Sequence, residues 1–247
     1  MLRKLKDVFN NLLVLIARKE DSSRKIYHEL NRISYKDSAE FIYDNISTAL
    51  LFTNIQKFWT YSFKELNPEG IIMEFGVFSG YSINFFSTLL KEKKDLRRIY
   101  GFDSFEGLSE AWGGTTLGKG YFDIKGVLPK VNDNVDLVKG WINDTFPKFL
   151  FENKIDEKNI AFMHLDVDTY TPTKFVLELA QKYFFKGTII VFDELLGYPG
   201  WREHEFKALT EVIDRYWNYE FIAFCEVQRK DFTSDHIRAT IRITNKK

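Results

Sequence analysis

Among its 247 residues the chain has one cysteine, Cys225, so no internal disulfide can form. That fits a reducing compartment and makes the cytoplasm the expected location. Net charge is also missing. Lys plus Arg and Asp plus Glu stand at 35 each, leaving no overall positive field to draw the chain onto nucleic acid or an anionic membrane. No apolar run approaches the ~20 residues of a membrane span. The nearest, Leu12 to Ala17, follows Lys6 and Asp7 and runs into Arg18-Lys19-Glu20-Asp21, where a secretion signal would place small residues. Internal repeats and low-complexity tracts are absent as well.

What is present is a 45% hydrophobic and 17% aromatic composition, enough for one well-buried core with an appendage. Leu2, Leu5, Phe9, Leu12 and Ile16 recur at three- and four-residue spacing and predict a helix with one apolar face. Residues 21–69 read as helices flanking the core or covering it as a lid. They carry Phe41, Tyr43, Phe52, Phe58, Trp59, Tyr61 and Phe63, more apolar surface than one small sheet covers, so a homo-oligomer, a dimer, is expected. The chain divides into a helical extension, 1–69, and a main domain, 70–247.

From Gly70 onward two periods alternate. Strands are predicted at 71–75, 98–102, 135–138, 160–165 and 188–192; helices over Ser82 to Leu90 and through Phe175, Val176, Leu179, Ala180 and Tyr183. This rhythm implies right-handed crossovers and a parallel sheet, with ligands at the carboxyl ends of its strands. After a further helix through Phe206, Leu209, Val212, Ile213 and Tyr216, strands at 221–225 and 239–243 are separated by only a polar loop and must pair antiparallel. The predicted fold is a doubly wound α/β, mostly parallel Rossmann-like sheet ending in an antiparallel strand pair.

Glu74-Phe75-Gly76-Val77-Phe78-Ser79-Gly80 places two glycines at a strand-to-helix bend, where backbone amides can approach a ligand. Asp103 ends the next strand, positioned to accept hydrogen bonds from ribose hydroxyls. The nicotinamide fingerprint is not matched, because position 78 is Phe and not Gly. Farther along, Asp166 and Asp168 follow the fourth strand and Asp193-Glu194 the fifth, so carboxylates can converge on one hard cation if the fifth strand ends at Asp193. Asp168, near Thr169 and Pro172, reads as a helix cap, and His164, inside an apolar strand, as a core histidine. His204 lies in the loop Tyr198-Pro199-Gly200-Trp201-Arg202-Glu203-His204-Glu205 beside the expected site.

From Gly70 to His204 the sequence resembles the macrocin O-methyltransferase family of sugar O-methyltransferases. The shared segments are Glu74 to Gly80, Gly101-Phe102-Asp103-Ser104-Phe105-Glu106-Gly107-Leu108, Lys139-Gly140-Trp141-Ile142-Asn143-Asp144-Thr145, and Leu165-Asp166-Val167-Asp168-Thr169-Tyr170. The resemblance implies S-adenosylmethionine as cofactor, with Glu74, Gly76, Ser79 and Gly80 around its methionine part, Asp103 and Ser104 at the ribose, and Gly140 and Trp141 at the adenine. It also implies magnesium on Asp166, Asp193 and Glu194. Where the family has paired aspartates followed by tyrosine, this chain has Asp193-Glu194-Leu195.

The expected reaction is methyl transfer to a hydroxyl of a small molecule, a sugar or glycosylated metabolite, with Asp166 or His204 as candidate catalytic groups and Asp144 a weaker one. Neither nucleic acid nor a membrane is an expected partner. An amino-group methyltransferase of nucleic acids would carry an Asp-Pro-Pro-Tyr-like segment where Asp166-Val167-Asp168-Thr169 stands. A cytosine C5 enzyme needs a catalytic cysteine, and Cys225 falls in a late apolar strand. A noncatalytic S-adenosylmethionine-binding protein and, less favoured, a nicotinamide-dependent oxidoreductase are the alternative readings.

Overall fold

The computed structural model describes residues 26–153, 155, 160–226 and 236–247. The helix expected through Leu2 and Ile16 lies outside them. Among the described residues, no helix is long and apolar enough to cross a membrane.

Eight strands form one sheet: β1 (Leu50–Phe52), β2 (Ile71–Phe75), β3 (Ile99–Asp103), β4 (Val135–Lys139), β5 (Ile160–Leu165), β6 (Ile189–Leu196), β7 (Trp217–Glu226) and β8 (Ile237–Lys246). Their order across the sheet is β4-β3-β2-β5-β6-β8-β7-β1. Only β8 runs against its neighbours, antiparallel to both β6 and β7; the other pairs are parallel. The mostly parallel sheet with a closing antiparallel pair is the architecture expected from the spacing of the strands.

Helices cover both faces, as parallel connections require. On one side lie α2 (Ile55–Lys64) and α3 (Tyr81–Glu92), burying Phe58, Trp59, Phe63, Ile83 and Phe86 against Ile72, Phe162 and Val191. On the other lie α4 (Ile142–Glu152), α5 (Tyr170–Ala180) and α6 (residues 205–216), whose Phe146, Phe149, Val176 and Leu209 pack with Met73, Phe75, Phe102 and Phe192. The middle of α6, Leu209–Ile213, is a π-helical turn.

The segment before Gly70 is more than a set of flanking helices. β1 joins the sheet at its edge, parallel to β7 with Leu50 opposite Ala223. Three residues are too few to give strand periodicity, and Leu50 and Leu51 are exposed, so nothing local announces the strand. Asn54 caps α2 by accepting the Lys57 N–H at 2.9 Å. Before β1, α1 (residues 26–45) sets Phe41 against Trp201, Phe206 and Phe221. Its Ser38 hydroxyl accepts the Gly197 N–H at 3.0 Å, and its Asp37 pairs with Arg202 at 2.8 Å. Thus α1 braces the loop between β6 and α6.

Candidate active site

The sheet changes direction at β2. The chain leaves β2 for β3 on one side and reaches β5 on the other, which opens a crevice beyond the carboxyl ends of these strands. Here lies a cleft of about 270 Å³.

One half is built on the turn after β2. Gly76 has φ +87°, and a Cβ there would meet the Asp166 carbonyl oxygen at 1.7 Å, so only glycine lets the turn pass between the ends of β3 and β5. Its N–H reaches the Phe102 carbonyl at 2.9 Å, while the Asp166 N–H reaches Phe75. Asp103 fixes the rest of the turn: Oδ2 accepts the Val77 and Phe78 N–H groups at 2.8 Å each, and Oδ1 accepts Phe105 N–H at 2.7 Å. Gly76, Asp103, Ser104 and Trp141 all line the cleft, together with Phe78, Ile142 and Asn143. Phe78 meets Phe122 edge-on, with ring centroids 5.5 Å apart, and both line the cleft.

Ser79, Gly80 and Gly140 stand behind this surface: Gly80 precedes α3, and Gly140 ties β4 to the Asp103 carbonyl at 2.9 Å. Glu74 lies on the opposite face of the sheet. Side chains alternate along β2, so Phe75 and Met73 face α4 while Glu74 faces α3, where it accepts Ser82 Oγ at 3.0 Å and contacts His164 Nδ1 at 3.0 Å. It does not line the cleft.

The other half is acidic. Asp166, Asp168, Asp193 and Glu194 line it, with Ser109, Trp112, Val167 and Pro172. The fifth expected strand does not end at Asp193. β6 continues to Leu196, but its pairing jumps from Phe192–Ala239 to Leu196–Ile237, so Asp193, Glu194 and Leu195 together face the single residue Arg238. This bulge, not a strand end, brings two consecutive carboxylates to one cleft. In it, the Glu194 N–H finds Glu205 Oε2 at 3.2 Å.

Asp193 is held by Arg238, whose Nε and Nη2 each lie 2.6 Å from a carboxylate oxygen; both residues are 4% exposed. His164 Nε2 stands 3.6 Å from Asp193, an ionic contact too long for a hydrogen bond. Burial opposes the imidazolium, yet Asp193 and Glu74 on its two nitrogens raise His164 to about 10. Burial likewise works against the Asp193 carboxylate, and Arg238 and His164 more than reverse it, holding the group well below the usual range. Asp166 and Glu194 are displaced upward, by burial first and then by repulsion from Asp193 and from one another's neighbourhood of carboxylates.

Asp168 is not a helix cap. Thr169 takes the cap position of α5 without a side-chain bond, and Asp168 sits at φ +63° in a three-residue turn closed by Thr169 N–H to the Val167 carbonyl at 2.6 Å. Asp166, Asp168 and Glu194 offer ligand atoms within 4.8 Å of one another; so do His164, Asp166 and Asp193.

His204 does not line the cleft. Its Nε2 contacts the Gly113 carbonyl at 2.9 Å, and since a carbonyl only accepts, Nε2 carries the proton. Burial lowers its pKa, so the ring is neutral. It latches the Trp112 loop, which also packs Gly114 so closely on Pro199 that a Cβ would lie 1.6 Å from the Pro199 carbonyl oxygen. Glu110 adds a third tie, accepting the Thr171 N–H at 3.1 Å and its hydroxyl at 2.8 Å. Asp144 lies in the first turn of α4 and does not line the cleft. Phe78, Trp112, Phe122 and Asn143 are cleft residues that sequence reasoning gave no role; Phe78 and Asn143 lie inside the motifs themselves.

Residues 73–195 match a family described as a methyltransferase domain. No curated protein matches the sequence. Among solved structures, the chain is similar to the calicheamicin methyltransferase CalS11, with 27% identity, a TM-score of 0.55 and 76% of each chain covered. An apo structure of CalS11, described as a TDP-rhamnose 3'-O-methyltransferase of calicheamicin biosynthesis, aligns with 27% identity, a TM-score of 0.51 and coverage of 76% of this chain and 77% of that one. The O-methyltransferase NovP shares the fold at 15% identity, with a TM-score of 0.51 and 78% of each chain covered.

Proposed function

We propose that this chain, an S-adenosylmethionine-dependent methyltransferase, methylates a hydroxyl oxygen of a sugar or glycosylated small molecule, assisted by a divalent cation. One observation carries the reading: a single cleft joins a half with apolar and aromatic walls, Phe78, Trp141 and Ile142 beside Asp103, to a cluster of carboxylates. The resemblance to the macrocin O-methyltransferases supports the sugar class, as does the likeness to a TDP-rhamnose 3'-O-methyltransferase.

The residues present fit the cofactor. Trp141, Ile142 and Phe78 offer apolar surface for a purine, Asp103 and Ser104 offer acceptors to a ribose, and the acidic end suits a positively charged sulfonium. When bound, S-adenosylmethionine supplies an electrophilic methyl group, and S-adenosylhomocysteine remains. A hard cation is fitted by Asp166 and by Glu194, whose buried Oε2 accepts no hydrogen bond among the described residues. Such a cation supplies Lewis acidity and fixes the orientation of vicinal hydroxyls.

The chain's own groups do the rest. Trp112, latched from three sides, walls the substrate end and limits how a ring can enter. Asp166, at the junction of the two halves, accepts the hydroxyl proton at a carboxylate oxygen.

Calorimetry with S-adenosylhomocysteine, followed by methyl-transfer assays on nucleotide-linked and glycosidic sugars with and without chelator, tests the reading. Micromolar-range binding and chelator-sensitive, magnesium-restored transfer are expected. Absence of binding overturns the methyltransferase reading, full activity in chelator overturns the cation, and binding without any methylated product favours a noncatalytic binding protein.

A further inference from the structure

Bulky side chains avoid positive φ, yet among the described residues six other than glycine adopt it. Three of the six, Phe78, Phe122 and Asp168, line the cleft, so backbone strain gathers where a ligand would sit. Two of those three are phenylalanines whose rings touch.

A third phenylalanine shows what such strain ordinarily accompanies. Phe105, at φ +60°, is 1% exposed, and its ring belongs to the core on the α3 side of the sheet. Burial there offsets the strained backbone. Phe78 differs: it holds φ +46° while 42% exposed, so its ring gives the fold little in exchange. The turn does not call for a ring either. Asp103 fixes it through the backbone N–H groups of Val77 and Phe78, which almost any residue supplies, and glycine or asparagine would adopt this backbone more readily.

Phe122 reaches the same place by an uncommon connection. Parallel strands are usually joined through a helix. Residues 104–134, which join β3 to β4, contain no helix among the described residues. The Phe105 carbonyl instead accepts the N–H groups of Ile124 at 3.3 Å and Gly126 at 2.8 Å, and Glu106 bridges to Asp123. These ties carry Phe122, at φ +69°, to the cleft, with Tyr121 packed on its ring at 4.7 Å.

We infer that Phe78 and Phe122 form an aromatic wall that contacts bound S-adenosylmethionine, and that the strain and exposure of Phe78 are kept for this contact at the expense of the unliganded fold. The inference rests on the cofactor reading above and deepens it. It adds Phe122, which lies in none of the sequence motifs, and it opposes cofactor affinity to stability at position 78.

The test is calorimetry with S-adenosylhomocysteine together with thermal melting of the unliganded full chain. Phe78→Asn removes the ring, keeps the N–H that Asp103 accepts, and suits the left-handed backbone. It is expected to weaken S-adenosylhomocysteine by about tenfold or more, the scale of one lost aromatic contact, with a melting temperature no lower than wild type. Phe78→Tyr restores the ring and should recover most of the affinity. Phe122→Leu, which keeps apolar bulk without a ring, should weaken binding in the same direction. The inference is overturned if Phe78→Asn binds within twofold of wild type, if it melts below wild type, or if Phe78→Tyr loses as much affinity as Phe78→Asn. A wild type that binds no S-adenosylhomocysteine overturns the cofactor reading itself, and this inference with it; equal binding by wild type and Phe78→Asn overturns this inference alone.

Discussion

The carboxylate of Glu205, at the start of α6, accepts the backbone N–H of Glu194 at 3.2 Å, inside the bulge where β8 offers Glu194 no partner. A fully buried acid is thereby used as a piece of backbone support. Glu205→Ala leaves that N–H unpaired and is expected to cost about 1–3 kcal/mol of stability. Glu205→Gln keeps a carbonyl acceptor in place and should recover most of it. Denaturant titration of both variants checks this; equal losses in the two would deny the backbone role.

Asp103 organises three N–H groups before any cofactor arrives. Asp103→Ala should therefore loosen the turn and remove the ribose acceptor together, weakening S-adenosylhomocysteine by about 1–3 kcal/mol, roughly five- to 150-fold. Calorimetry measures it, and an unchanged affinity would place the cofactor elsewhere.

His204 separates a base from a latch. A general base lost to substitution costs about 10²–10⁴-fold in rate. His204→Gln retains a donor for the Gly113 carbonyl and is expected to stay within about threefold of wild-type kcat, whereas His204→Ala should raise the substrate KM as the Trp112 loop loosens. Loss of about 10²-fold in the Gln variant would restore His204 to catalysis.

The same residue predicts a pH effect. Burial lowers the folded pKa of His204 below its ordinary 6.5, so the unfolded chain binds the extra proton more readily. Its contribution to stability is present above pH 6.5 and is lost as pH falls through the folded pKa. The drop in Tm between pH 8 and pH 5 should be larger for wild type than for His204→Gln. Parallel curves would show that His204 is not buried as a neutral ring.

On α1, Ile26, Leu30 and Ile33 are 77, 45 and 51% exposed at helical spacing, an apolar stripe on a solvent face. A homodimer using it is expected, and Leu30→Glu with Ile33→Glu should give a monomer by light scattering. A monomeric wild type at micromolar concentration removes the expectation.

Much of the fold is legible because its signals are local. Strands β2 and β5 follow from apolar runs broken only by Glu74 and His164, their buried positions covered on both faces, and the polar loop after β7 is too short in helical pattern to allow anything but antiparallel return. Helix α4 is harder to see, because Pro147 interrupts its period. Asp103 and Asp166 were readable as site residues since each ends a strand whose carboxyl edge the topology must expose.

What the sequence determined by itself is the set of strands, their alternation with helices, and hence the edge at which a ligand sits; all of these depend on residues within one turn or one strand of each other. Only tertiary structure decided which carboxylates are available there. Arg238 neutralises Asp193 across 45 residues of chain, a two-residue excess in β6 opposite β8 turns Glu194 inward, and the sheet's pleat sends Glu74 to the far face. Charge pairing and register are relations between strands, set by how distant segments align, and no spacing within one segment encodes them.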